Sequence, residues 1–292
     1  MFSFGKSIII PGKNQESGLA SLYPMLANVN KESLPSIDRD ILNSISHLRI
    51  DPVNACNARC IFCHSDFSSQ ARQLEIEEFA ELMENDFPNL TTLSIGCAFE
   101  PLMGKYFSEY VNYIENRRGK SKARIITNGL LLNKKDIGPW VEFGLEYIHI
   151  SAHSHIPDVY EDTMRGGSKF SVLEANLKET RSRFPNIEMH IINVVSKAND
   201  VDISGFCKWA FDEVGVDKAI IYRSQFIDNP SSGMPASAYV PAYISEQKRG
   251  PRLTDEEWGN LLSNCSQYMD QATKGSLSFG ANGVEVVSLR RP

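Results

Sequence analysis

From Leu48 onward, short apolar runs alternate with longer stretches in which apolar side chains recur at helical spacing. The runs Leu48 to Val53, Leu90 to Ile95, Ala123 to Ile126, Tyr147 to Ile150, Ile187 to Val195 and Ala219 to Tyr222 are predicted strands. Between them, Ile76, Phe79, Ala80 and Met83 fall at i, i+3, i+4 and i+7, which predicts an amphipathic helix over 75–85. Tyr106 to Ile114, residues 133–143 with a break near Gly138-Pro139, and Phe170 to Arg183 are further helical stretches. Ile203, Cys207, Ala210 and Val214 give one more helix an apolar face. Strands that alternate with helices need crossover connections, and therefore a parallel sheet. Six such strands are too few for a closed eight-stranded barrel, so the expected fold class is α/β, a partial (β/α)6 barrel. Its site belongs on the loops that follow the strands.

The two ends of the chain depart from this rhythm. Residues 1–40 are polar and mixed, with Pro11, Gly12, Pro24 and Pro35 as breakers, and read as an N-terminal extension. Ile41 to Ile45 is a candidate short helix ahead of the barrel, which occupies 41–227. Residues 228–252 are rich in Pro, Ser and Gly and read as a linker or a loop across the barrel mouth. The C-terminal part, 228–292, then holds a helix and a hairpin. Thr254 and Glu257 form a capping box, and Trp258, Leu261, Leu262 and Cys265 share one helical face. Ser276 to Phe279 and Val284 to Leu289 flank Asn282-Gly283, a hairpin signal.

Composition narrows the class. The chain has 292 residues, 42% of them hydrophobic and 23% charged, as in ordinary globular proteins. No apolar run approaches the ~20 residues that span a bilayer, so no membrane partner is expected. The net charge of −6 argues against a general affinity for nucleic acid. Six cysteines, three of them clustered, point to metal chemistry in a reducing compartment, and a cytoplasmic protein is expected.

The clustered cysteines are Cys56, Cys60 and Cys63, directly after the first strand. Thiolates are soft ligands suited to iron–sulfur clusters and zinc, and one loop with these spacings can wrap a single metal centre. Three cysteines leave one corner of a 4Fe–4S cluster without a protein ligand, which is the open site that catalysis needs. The alternative is a zinc site completed by His64.

The C-x3-C-x2-C pattern, with Phe62 before its last cysteine, resembles the radical S-adenosylmethionine superfamily. The resemblance implies that Cys56, Cys60 and Cys63 hold a 4Fe–4S cluster whose fourth iron is chelated by S-adenosylmethionine. An electron from an external donor such as flavodoxin or ferredoxin would then split the sulfonium to methionine and a 5′-deoxyadenosyl radical. Further matches follow in chain order. Gly96 to Leu102 looks like a variant of the family's Gly-Gly-Glu-Pro motif, which implies that Glu100 meets the cofactor's amino group. Thr127-Asn128-Gly129 resembles the family's Thr-Asn-Gly on the cofactor side of the mouth. Ser151 and Arg165 are candidate partners for the cofactor carboxylate, and Asn193 for its ribose hydroxyls. The plain alternatives are an exposed strand-end Glu100, a solvated Arg165 and a satisfied barrel Asn193. His149, His153, His155 and His190 are each candidate substrate contacts or ordinary structural histidines.

The C-terminal part resembles a reduced SPASM- or twitch-like domain, with Ser288 where a cluster cysteine is expected. The function so implied is hydrogen abstraction from a peptide or small-metabolite substrate. Epimerisation, dehydrogenation, rearrangement and bond formation are all compatible. For epimerisation the candidate hydrogen donor is Cys265, on a helix expected to fold across the mouth; its alternative is a buried core thiol. A metal-stabilised binding protein is the competing class, and an RNA-modifying radical enzyme is disfavoured by the acidic balance.

Overall fold

The computed structural model describes residues 9–11, 47–61, 63, 71, 73–85, 87, 89–96, 99–118, 122–142, 144–199, 202–224, 253–271, 276–281 and 284–290. The strands are β1 (Ile9–Pro11), β2 (His47–Asp51), β3 (Thr92–Ile95), β4 (Lys122–Thr127), β5 (Leu145–Ser151), β6 (Glu188–Val195), β7 (Lys218–Arg223), β8 (Ser276–Ala281) and β9 (Val284–Arg290). The helices are α1 (Ile76–Asn85), α2 (Phe107–Arg118), α3 (Gly138–Glu142), α4 (Pro157–Met164), α5 (Phe170–Arg183), α6 (Ile203–Lys208) and α7 (Asp255–Gln271). α6 runs on into a π-helical segment, Trp209–Val214.

The strands form one sheet in chain order, β1 to β9. Every neighbouring pair from β1 to β8 is parallel, and β9 returns antiparallel to β8. Among the described residues β1 and β9 are the free edges, so the sheet is not closed. This is the expected α/β partial barrel.

Strand alternation explains the layers. Leu48, Ile50, Leu93, Ile95, Ile125, Ile148, Ile150, Ile191 and Ile221 are almost inaccessible and share one core cluster with Phe79, Tyr110, Trp140, Leu177 and Phe206 of the helices. Each such side chain contributes roughly 1.5–3 kcal/mol on burial. Successive side chains on a strand point to opposite faces, so the intervening residues line the concave, helix-free side. That side, and the loops after the strands, are where a site can be built without disturbing the core.

The structure differs from the sequence expectation in several places. Of the expected helix over 133–143 only α3 is α-helical, so Gly138-Pro139 starts a helix instead of breaking one. β1 lies within the expected N-terminal extension and pairs with β2; three residues ending at a proline are too short to show a pattern. α4 was not expected, although Pro157 at its first turn is a favoured start. The C-terminal hairpin is present, with Ala281 opposite Val284, but its first strand also pairs with β7 over five positions from Lys218↔Ser276 to Tyr222↔Gly280. The hairpin therefore extends the barrel sheet, and α7 acts as the crossover helix between two parallel strands. The capping box forms as expected: Glu257 N–H donates to Thr254 Oγ1 at 3.2 Å and Thr254 N–H to Glu257 Oε2 at 2.6 Å. The candidate helix at Ile41 to Ile45 and the 228–252 segment lie outside the described residues.

Candidate active site

Cys56, Cys60 and Cys63 stand on the loop after β2, all partly exposed. Cys63 N–H donates to the Cys60 carbonyl at 3.1 Å, turning the chain between the last two thiols. The end of α4 holds this loop from the side. Arg59 N–H donates to Met164 O at 2.8 Å and Ile61 N–H to Thr163 O at 2.9 Å, while Cys60 Sγ lies 3.5 Å from Met164 Sδ. Gly166 follows with φ +66°, and a Cβ there would stand 2.7 Å from Asn57 O. Only glycine lets the two loops come this close.

Burial pushes the Cys56 thiol up to about 11, the nearby Glu100 and Cys63 charges adding to the effect. Cys60 is raised further, again first by burial and then by Cys63 and Cys56. Thiols whose ionisation is opposed in this way suit a cationic centre, which deprotonates coordinating thiols. The buried Tyr160 hydroxyl lies within electrostatic range of Cys60 and has no hydrogen-bond partner among the described residues. The donor set thus fits a thiolate-bound cluster. Among the described residues no group of three or more His, Cys, Asp or Glu is arranged to hold a metal ion. Phe62 and His64 lie outside the described residues.

Glu100 is 1% exposed, which overturns the alternative of an exposed strand-end glutamate. Its Oε1 accepts from Leu102 N–H at 3.1 Å and Thr127 Oγ1–H at 2.8 Å, and its Oε2 from Asn128 N–H at 2.7 Å. Its own N–H donates to Ala55 O at 3.0 Å. Glu100 therefore ties the loops after β2, β3 and β4 together. Burial pushes its carboxyl up to about 7, against the pull of the three donors. Oε2 takes one donor from the chain and retains acceptor capacity for a second, of the kind an ammonium offers.

Asn128 extends the clip. Its Nδ2 donates to Asn57 Oδ1 at 2.7 Å and lies 3.9 Å from Cys56 Sγ. Thr127, Asn128, Glu100 and the cysteine loop are thus brought together at the C-terminal ends of adjacent strands. Ser151 ends β5 at the same rim and is half-buried. Arg165 is exposed in the loop that packs on the cysteine loop, with φ +53° and its Nε donating to Asp162 O at 3.2 Å. Asn193 is fully buried; its Oδ1 accepts from Asn199 Nδ2 at 3.3 Å, but its own Nδ2 has no partner among the described residues. The reading of a satisfied barrel asparagine is corrected to that extent: a buried donor is left over, on the face that Met189 and Ile191 turn to the helix layer.

The histidines divide. His153 is buried, accepts Val194 N–H through Nδ1 at 3.1 Å, and is held neutral by burial, which pushes it down to about 3. His155 stands 3.8 Å from Asp202. His149 and His190 are in direct contact at 2.8 Å.

Cys265 requires a correction. It is 0% exposed, and its thiol is hydrogen-bonded with Cys207 of α6, which is also 0% exposed. The shared face of α7 packs against α6 rather than across the barrel mouth, because β7, α7 and β8 form one crossover unit. A thiol sealed between two helices is a packing group, so the hydrogen-donor role is not sustained. Sequence reasoning also missed Asn57, Tyr160, Met164 and Asn199. Asn57 lies inside the cysteine motif and was within reach of inspection; the others come near the site only through the path of α4 and the turn after β6.

The thiol-bearing loop thus stands at the mouth of an open parallel sheet, clipped to a buried glutamate in the loop after the next strand. The chain matches the Radical SAM superfamily over residues 50–210, more than half its length, and belongs to that superfamily. Its cofactors are therefore a 4Fe–4S cluster and S-adenosylmethionine. It is 29% identical over 171 residues to GTP 3′,8-cyclase of Limosilactobacillus fermentum, which covers 57% of this chain and 51% of that protein. It is 24% identical over 251 residues to GTP 3′,8-cyclase of Thermodesulfovibrio yellowstonii, covering 81% and 74%. The chain thus spans about half the length of the first of these relatives. Among solved structures, Streptococcus suis SuiB bound to S-adenosylmethionine superposes with a TM-score of 0.60 at 16% identity, covering 82% of this chain and 50% of SuiB. TYW1 with a lysine-pyruvate adduct gives 0.52 at 15%, covering 83% and 80%. These likenesses show the fold. No helix among the described residues is long and apolar enough to cross a membrane.

Proposed function

We propose that this radical SAM enzyme cleaves S-adenosylmethionine reductively and abstracts hydrogen from a peptide or small-metabolite substrate seated on the concave side of the sheet. The observation that carries the reading is the joining of the cysteine loop to Glu100, Thr127 and Asn128 through short hydrogen bonds at one rim. Cys56, Cys60 and Cys63 would hold the cluster, which supplies the electron for cleavage. The chain's own residues do the positioning. Glu100 keeps three loops in register and offers an acceptor to the cofactor ammonium. Arg165 and Ser151 are the carboxylate partners; Asn193 shares the helix-packed face of β6 with Met189 and Ile191, so no ribose contact is assigned to it. Sequence relatives named GTP 3′,8-cyclase favour the small-metabolite branch. The electron comes from an external one-electron donor of the flavodoxin or ferredoxin kind. With Cys265 sealed in the helix layer, dehydrogenation, rearrangement or bond formation fits better than inversion by that thiol.

The test uses anaerobically reconstituted protein reduced with dithionite. It should hold about four iron and four sulfide per chain, as this cluster type requires, and slowly release 5′-deoxyadenosine and methionine without substrate. Stoichiometric zinc without iron, or no 5′-deoxyadenosine, overturns the proposal.

A further inference from the structure

The concave face carries a hydrogen-bonded chain that the cofactor site does not use. His149 on β5 and His190 on β6 are directly paired across the two strands, as are Tyr147 and Glu188. His149 Nε2 lies 2.8 Å from His190 Nδ1, and His190 Nε2 lies 2.7 Å from Glu188 Oε1. The Tyr147 ring stacks on both imidazoles, with centroids 4.5 Å from His149 and 4.7 Å from His190. Their neighbours Ile148, Ile150, Met189 and Ile191 all point into the helix-packed core, so this set faces the opposite way. His149 precedes the rim residue Ser151 by two positions on the same face, about 7 Å below it at the usual strand rise.

Exposure runs along the chain in one direction. The His190 side chain is 8% exposed, while Glu188, at the start of its strand, is 53% exposed and meets solvent. A carboxylate only accepts hydrogen bonds, so His190 carries its hydrogen on Nε2. Burial lowers the His190 pKa, partly offset by Glu188, so the ring is taken as neutral and its Nδ1 is an acceptor. His149 must then donate through Nε2, which makes Nδ1 its lone-pair nitrogen. Both tautomers follow from the one exposed carboxylate.

We propose that His149, His190 and Glu188 form a proton relay between a substrate on the concave face and solvent at the N-terminal end of the sheet. The relay rests on the proposed function for the presence of that substrate. It identifies the substrate class as one that presents an O–H or N–H group next to the reacting carbon. A proton taken up at His149 Nδ1 is balanced by transfer of the Nε2 proton to His190 Nδ1, and of the His190 Nε2 proton to Glu188. The protonated Glu188 then loses its proton to water. Other charged groups bear on the chain: Lys218, opposite His190 on β7, and Asp217 beside it, with Arg124 of β4 stacked at 4.8 Å over Tyr147 and paired with Glu146 of β5. Tyr147 completes the set on β5.

The experiment is imidazole nitrogen NMR on the cluster-loaded protein, comparing wild type with Glu188→Ala and Glu188→Gln. Wild type should show Nε2–H tautomers at both His149 and His190. In Glu188→Ala the His149 titration should move to lower pH, because the negative end of the chain is gone, and ring N–H exchange with water should slow several-fold. Glu188→Gln, which keeps an acceptor oxygen but cannot take the proton, should retain the tautomers and still slow exchange. An Nδ1–H tautomer at His190, or His149 titration and exchange unchanged by Glu188→Ala, overturns the relay. Substrate-free release of 5′-deoxyadenosine should match wild type in both variants. Its absence from wild type would count against the proposed function and not against the relay.

Discussion

Two groups of cysteines in this protein show what a thiol's surroundings decide. Cys56, Cys60 and Cys63 sit on one loop at the mouth, partly exposed, with Cys63 raising the cost of ionising Cys56, and Cys63 and Cys56 that of Cys60. Cys207 and Cys265 are inaccessible, hydrogen-bonded to each other between α6 and α7, and part of the main core cluster. The first group has a path to a metal and a reason to bind one. The second has neither, and a buried free cysteine behaves as a small apolar side chain. Residue type is the same in both; access separates them.

The largest effect should come from the first group. Changing Cys56, Cys60 and Cys63 together to Ala should remove essentially all cluster iron and all release of 5′-deoxyadenosine. Iron analysis and chromatography read both, and full iron in the variant would end the comparison.

Glu100 sharpens it next, because the rim that holds the loop depends on it. Its carboxyl is raised from 4.5 to about 7 in the fold. The folded state therefore binds more protons than the unfolded state between these values, so this group's contribution is full below pH 4.5 and is lost as pH rises through about 7. The loss amounts to about 3 kcal/mol. Denaturant unfolding of cluster-free wild type against Glu100→Gln should show that component in wild type alone. Parallel pH profiles for the two proteins would contradict it. Glu100→Ala should also weaken S-adenosylmethionine binding by titration.

Gly166→Ala tests the grip of the α4 loop on the cysteines. A Cβ would meet Asn57 O at 2.7 Å from a backbone with φ +66°. The expected cost is about 1–3 kcal/mol, with lowered iron occupancy as the cysteine loop shifts. Unchanged thermal stability and iron content would mean that the loops are not held this way.

The smallest effect belongs to Cys265→Ala. A lost buried sulfur should cost about 1 kcal/mol and leave iron content and 5′-deoxyadenosine release at wild-type levels. A variant that keeps 5′-deoxyadenosine release but makes no product from its substrate would restore the donor role that its burial argues against.

Much of this was legible in the chain. Strand and helix periodicity is local, so the order of the barrel elements could be read directly, and Phe170–Arg183 appears with the expected ends. The cysteine spacing is local too, and with it the family. Glu100, Thr127 and Asn128 could be named because each sits in a short recognisable segment. Their partners could not, since the bonds from Glu100 to Thr127 and Asn128 span 27 and 28 residues.

What the sequence by itself determined is therefore the six central strands with most of their helices, the thiol loop and the class of chemistry, all of which depend on neighbours a few positions apart. The tertiary structure alone decided three things. It placed β8 against β7, which turned α7 outward onto α6 and removed Cys265 from the mouth. It buried Glu100 against two donors from the end of β4, Thr127 and Asn128, beside the Leu102 N–H of its own turn. It set His149 beside His190 at the same height on neighbouring strands, 41 residues apart, and so joined them to Glu188. The physical reason is common to all three: strand register and helix packing determine which distant side chains share a space, and no short-range pattern encodes that pairing.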